Sequence, residues 1–219
     1  MRMLTALLAA AGMAGAASAD VTINEVLGST PGTDYEFIEL YNSGGGAVDL
    51  TGWSIELWDS DSGGSFGGSD AGAPYALSGI LAAGGFLTLG NPTVGGILGF
   101  TPDLALPANA IENSSYTMIL RDAGAAIVEA IFVTDGGAGD AANDAGTLIT
   151  PDATVGPDGT FVPAGFYRDP DGSGNFVTFD FDDGDIALRA TPGGTNFPAP
   201  GSLALLGFGC LLGARRRRA

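Results

Sequence analysis

The chain is 219 residues long and carries a formal net charge of −17, from 25 acidic residues against eight arginines, with no lysine. It has no histidine and a single cysteine, Cys210. Those absences exclude disulfide scaffolding, His-ligated zinc, Ser-His-Asp and Cys-His catalysis and Ser-Lys chemistry, leaving only carboxylate, Tyr and Ser groups as chemical actors.

Residues 1–19 have the layout of a secretory signal peptide. Arg2 supplies the positive start, residues 4–17 are apolar and uncharged, and Ala17-Ser18-Ala19 fits the small-x-small rule for cleavage before Asp20. Polar chain begins abruptly at Asp20, which argues against a buried N-terminal helix. The body expected to fold is therefore 20–197. All 25 acids lie in it, opposed only by Arg121, Arg168 and Arg189, so it bears 22 net negative charges. Such a surface repels DNA, RNA and anionic lipid, and no nucleic-acid partner is expected. The charge keeps the body soluble or attracts cations.

The 37 glycines fall between short β-branched and aromatic runs, the rhythm of an all-β domain. Residues 21–27 read as an opening strand. Residues 36–42 follow, with Glu39 on the face of Phe37 and Tyr41, where a hydrogen-bonded structural acid is favoured over a catalytic one. Asp49 ahead of Thr51-Gly52 suits an Asx turn. Beyond it Trp53, Ile55 and Leu57 point one way and Ser54, Glu56 and Trp58 the other. Residues 59–72 form a Gly/Ser/Asp loop around Phe66. Strands are predicted over 85–89, 116–121 and 127–133, the last two joined as a hairpin through Asp122-Ala123-Gly124. Residues 136–159 read as loop, and 161–167 and 176–181 close the body. Seven or more short strands without an amphipathic helix predict a two-sheet β-sandwich.

Within the body, Asp169, Asp171, Ser173, the Asn175 carbonyl and Asp180 satisfy EF-hand loop spacing, with Gly174 at the sharp turn, so calcium is the one cofactor the residues suggest. Asp180 stands where the bidentate Glu belongs, Pro170 stiffens the loop and the flanks are not helical, so a plain β-turn fits the segment too. Asp59 and Asp61, and Asp182, Asp183 and Asp185, are acidic groups whose default reading is solvated loop charge. A glycosidase pair would need two carboxyls about 5–9 Å apart, a separation that sequence does not set. Trp58, Phe66 and Tyr75 form a candidate sugar-stacking platform, with core packing as the alternative.

After the body, Pro198-Ala199-Pro200-Gly201 leads into an apolar run over 202–214, closed by Arg215, Arg216, Arg217 and Arg218. The run predicts a short apolar helix of about 20 Å, marginal against a hydrocarbon core of about 30 Å. The Arg cluster should stay cytoplasmic and everything before it should face outward. The order of parts over 198–218 resembles the PEP-CTERM sorting signal of Gram-negative bacteria, with Ala199 where that signal usually has Glu. The resemblance implies an exosortase-type processing partner and transient residence in the inner membrane; an unprocessed tail anchor is the alternative.

A second resemblance covers the body. Ile23-Asn24-Glu25-Val26, then Glu36-Phe37-Ile38-Glu39-Leu40-Tyr41-Asn42, then Val48-Asp49-Leu50-Thr51-Gly52-Trp53 resemble the opening of the lamin-tail domain. Leu81-Ala82-Ala83-Gly84-Gly85-Phe86, the hairpin over 116–133, Asp171-Gly172-Ser173-Gly174 and Thr191-Pro192-Gly193-Gly194-Thr195-Asn196 follow in the same order. What the resemblance implies is an immunoglobulin-like β-sandwich, with 136–163 as an unusually long connection. Taken together, the expectation is an exported, non-enzymatic module at the cell surface or in exopolysaccharide, sorted through its tail. A secreted carbohydrate- or calcium-dependent binding module is the alternative, and a carboxylate-type enzyme the least favoured.

Overall fold

The computed structural model describes residues 21–30, 32–63, 66–68 and 74–196. The signal-peptide residues Ala17, Ala19 and Asp20, and the tail with Pro198, Pro200 and Arg215 to Arg218, lie outside the described residues. Among the described residues no helix is long and apolar enough to cross a membrane.

The chain opens with β1 (Val21–Leu27), which returns as β2 (Phe37–Asn42) in an antiparallel pair. The register shifts between Ile23 and Glu25. This bulge lets Ile23 and Val26 both enter the core while Asn24 and Glu25 face the other side. After β3 (Val48–Asp49), the Asp49 carboxylate accepts the Thr51 N–H at 2.9 Å, forming the expected Asx turn. The alternating segment becomes β4 (Ser54–Asp59), with Ile55 and Leu57 fully buried.

Short β5 (Tyr75–Ala76) and β6 (Ile80–Leu81) precede β7 (Phe86–Gly90). A one-turn helix α1 (Val94–Leu98) and β8 (Leu104–Ala105) lead to the predicted hairpin, β9 (Tyr116–Arg121) and β10 (Ile127–Val133). The segment expected to be loop instead holds β11 (Asn143–Asp144), β12 (Thr147–Leu148) and β13 (Ala153–Val155). The last of these runs parallel to β10 at the sheet edge. It is followed by β14 (Gly165–Arg168), shorter than the run expected from residue 161, then β15 (Phe176–Phe179) and a second one-turn helix, α2 (Ile186–Arg189).

Among the described residues two main sheets result, six strands in the order β15-β14-β1-β2-β7-β8 and five in the order β13-β10-β9-β4-β5, beside the small pairs β3-β6 and β11-β12. Ile38, Leu40, Leu89 and Phe166 from the first meet Ile55, Leu57, Met118, Leu120 and Ile131 from the second, which builds the sandwich core. The six-stranded sheet is covered on its outer face as well, where Leu27, Phe37 and Phe179 pack with Val94 of α1 and Ile186 of α2. Consequently β2 is buried on both faces, and its odd-numbered residues Phe37 and Glu39 never reach solvent. Close approach also constrains β14: a Cβ on Gly165 would lie 1.9 Å from the Val26 carbonyl oxygen.

Candidate functional site

Strand alternation places Arg168 on the inward side of β14 with Phe166, and Glu129 on the inward side of β10 with Ile131 and Val133. The two therefore meet between the sheets. The Arg168 guanidinium donates to Glu129 through Nη2 and to the Ile23 carbonyl through Nε at 2.8 Å. The other Glu129 oxygen accepts the Ile23 N–H at 2.7 Å. Both polar groups of the Ile23 peptide, freed by the bulge, are thereby satisfied by one buried ion pair. Burial pushes the Glu129 carboxyl up and the Arg168 cation beside it pulls it back. Arg168 also lies 4.3 Å over the Phe176 ring and donates through Nη1 to the Ser173 carbonyl.

On the outer face of the same sheet, the bulge and the 191–196 segment form a carboxylate latch. Glu25 accepts from the Thr191 N–H at 3.1 Å and from its hydroxyl at 3.2 Å. Glu39 accepts from Asn24 Nδ2 at 2.9 Å and from Gly193 N–H at 2.6 Å. Asp171 accepts from Asn24 Nδ2 at 2.9 Å and Asn196 N–H at 3.1 Å, while Asn196 Nδ2 donates to the Arg168 carbonyl at 2.8 Å. Glu39 is thus the structural, hydrogen-bonded acid that its strand position favoured. Desolvation and the neighbouring Glu39 push Glu25 up to about 8; desolvation, with Asp171 and Asp103 nearby, pushes Glu39 up to about 8.

Another buried acid, Glu36, accepts the N–H groups of Ala110 at 2.8 Å and Ile111 at 3.2 Å, and so ties the connection ahead of β9 to the six-stranded sheet. Desolvation pushes it up to about 7. Glu36→Ala should lower the unfolding free energy by about 2 kcal/mol, because two buried amides lose their acceptor; urea titration at pH 6 reads this directly.

The calcium-loop residues do not converge. Asp169, Asp171, Ser173 and Asn175 sit in the β14–β15 turn, but Asp180 follows the far end of β15, four strand residues or about 13 Å away. Within the turn, Asp171 is occupied by Asn24 and Asn196, and the Ser173 carbonyl by Arg168. The EF-hand spacing is therefore corrected to a hairpin turn, because an intervening strand separates its last ligand from the others. Among the described residues no cluster of three or more Asp, Glu, His or Cys side chains is placed to hold a metal ion. Asp59 and Asp61 each accept a backbone N–H two residues on, at 2.9 and 2.7 Å, as turn residues do. Asp183 pairs with Arg189 at 2.5 Å. Trp58 and Tyr75 lie on opposite faces of the five-stranded sheet, Tyr75 paired with inward-facing Ile55, so they form no common platform with Phe66.

Sequence reasoning did not find one cleft that the described residues form. Beyond the ends of β1, β10 and β15, a cleft of about 610 Å³ is lined by Asn113, Asp135, Asp158, Phe161, Phe181 and Asp182. Its residues come from five separated segments that only the sheet order brings together.

The family model described as Lamin Tail Domain matches residues 14–155, more than half of the chain. The match takes in β1 to β13 and stops short of the β14–β15 hairpin and the 191–196 segment, which the motif resemblance had included. No curated protein matches the chain.

Proposed function

The chain belongs to the lamin tail domain family, an immunoglobulin-like structural fold, and on that premise we propose that it is an exported, non-enzymatic structural or binding module. It is delivered to the cell surface or extracellular matrix through residues 198–219, a PEP-CTERM-like tail handled by an exosortase-type enzyme during transient residence in the inner membrane.

One observation carries this reading. Asn196, the last described residue before the Pro-rich hinge, is fastened by two hydrogen bonds to the Arg168–Asp171 end of the hairpin. Val21, the first described residue, pairs with Asn42 at the same end of the sheet. A sandwich held in this way stands on the tether with its opposite loops turned outward, the arrangement a surface-displayed module needs.

Mass spectrometry of the protein recovered from fractionated source cells tests the reading at both termini. The expected product begins at Asp20, lacks the arginine tip and leaves with the outer-membrane or extracellular fraction. An intact Arg-tipped form in the inner membrane would replace processing with simple anchoring. A cytosolic form retaining Met1 would overturn export altogether.

A further inference from the structure

We propose that the cleft between Phe161 and Phe181 is a saccharide-binding site, selective for neutral or amino-bearing oligosaccharides over acidic ones. The proposal rests on the exported reading above and names the ligand class such a module takes.

Two rings stand at the cleft without being packed away: Phe161 is 68 % and Phe181 37 % exposed, whereas Phe37, Phe166 and Phe179 are fully buried. An exposed phenyl face beside polar groups is a flat apolar plate, the shape that accepts the C–H face of a pyranose ring. The plates are fixed rather than loose. Asp158 and Phe161 exchange reciprocal backbone hydrogen bonds, both 2.9 Å, and the Asp158 carboxylate accepts the Phe181 N–H at 3.1 Å. One residue therefore sets the backbone position of both rings, which lowers the ordering cost of binding.

Beside Val162 and Gly159, the remaining lining offers hydroxyl partners: the carboxylates of Asp135, Asp158 and Asp182 accept, and Ser29, Asn113 and Thr160 both donate and accept. The volume of about 610 Å³ falls within the range of roughly 300–1,000 Å³ usual for small-molecule sites.

Charge decides among sugars. None of the three lining carboxylates has an arginine partner among the described residues, whereas Asp183 beside them does. Their field is felt nearby: burial pushes Asp180 up, and Asp158 and Asp182 of the lining push it the same way, as does Asp183. Uronates, sulfates and phosphates would meet unneutralised repulsion, while an amino sugar would be drawn in. Position agrees as well. The cleft lies past the Gly165 and Phe179 end of the β14–β15 pair, opposite the turn where Asn196 is held. It faces away from the proposed tether.

The test uses the full chain in detergent micelles, titrated calorimetrically with three probes: cellohexaose, a glucosamine hexamer and a galacturonate hexamer. Saturable binding of cellohexaose or the glucosamine hexamer is expected, weakened about tenfold by Phe161→Ala and again by Phe181→Ala. Trp58→Ala should leave binding unchanged. Phe161 is exposed enough for its removal to leave the melting temperature in place, and Phe161→Trp should restore affinity. Absence of binding to both non-acidic hexamers, preference for the galacturonate, or binding that survives the double Phe→Ala variant would each overturn the site. None of those results bears on export, which the terminal mass spectrometry decides separately.

Discussion

Arg168→Ala should cost about 3–5 kcal/mol of unfolding free energy at neutral pH, because it strands a buried carboxylate. Glu129 lies between the sheets with 11 % of its side chain exposed, and Arg168 is its cation. The same substitution removes the Nε donor from the Ile23 carbonyl at the bulge. The bond to the Ser173 carbonyl and the contact with the Phe176 ring go too, and a second variant separates the stranded charge from these losses. Arg168→Ala with Glu129→Gln keeps an acceptor for the Ile23 N–H but carries no charge. If the unpaired carboxylate dominates, the double variant should recover at least half of the loss.

Acid gives the same answer by another route. Without its cation, Glu129 is raised further by burial and is more readily protonated as pH falls, so the Arg168→Ala loss should be smaller at pH 5 than at pH 7.5. Urea unfolding of the three variants at pH 5 and pH 7.5 checks both statements. A loss below about 1 kcal/mol, or no rescue by Glu129→Gln, would show that the pair contributes nothing beyond what solvent could replace.

The architecture was legible where local pattern and tertiary packing agree. Residues 53–58 alternate because β4 has one core face and one outer face, and 116–133 reads as a hairpin because Asp122 caps its own turn with bonds to Gly124 and Ala126. The second burial layer was harder to see, though it left a trace. Phe37, Ile38, Leu40 and Tyr41 are apolar on both parities, the composition of a strand covered on two sides. The parallel strand β13 left almost none, since Ala153-Thr154-Val155 is too short to show a period and sits among Gly, Asp and Pro.

The bulge at Asn24 was invisible for a different reason. A one-residue slip is a property of the pair β1–β2, and only the ladder reveals it. Linear spacing misled outright at the calcium motif, because ligand spacing counts residues and takes no account of the strand between Asn175 and Asp180. The cleft at Phe161 and Phe181 illustrates the same limit: its aromatics become neighbours only through Asp158, 23 residues away from Phe181.

Raising the pH from 5 to 9 should destabilise the body by a few kcal/mol, and the acids of the latch are the cause. Glu25 and Glu39 have an ordinary value of 4.5 and are pushed up to about 8 in the fold. Below pH 4.5 both folded and unfolded chains hold these protons, and the contribution to stability is at its full value. Between about 4.5 and 8 the unfolded chain releases protons that the folded chain keeps, so unfolding is favoured progressively as pH rises. Above 8 the two acids ionise in place, like charges on adjacent buried positions, and the contribution is gone.

Hydrogen bonds from Thr191 to Glu25, and from Asn24 and Gly193 to Glu39, oppose the shift only in part, and the charged neighbours Asp171 and Asp103 are acids that add to it. Most exposed carboxylates on the body are already ionised by pH 5.5, so a decline above that point belongs to buried groups. Glu36, pushed up to about 7, supplies the earlier part of the slope.

Glu25→Gln isolates the latch. The amide keeps an acceptor for the Thr191 N–H and gives a donor to the Thr191 hydroxyl, without a charge to desolvate. Melting temperature against pH should therefore fall less steeply between about 4.5 and 8 in this variant, while the slope due to Glu36 and Glu39 persists, and Glu25→Gln with Glu39→Gln should leave only the Glu36 part, complete by about pH 7. A variant that follows the parent curve through pH 9 would mean that Thr191 and Gly193 hold these acids as carboxylates throughout. The segment leading to the tail would then be fastened to the sheet with equal strength on both sides of neutrality.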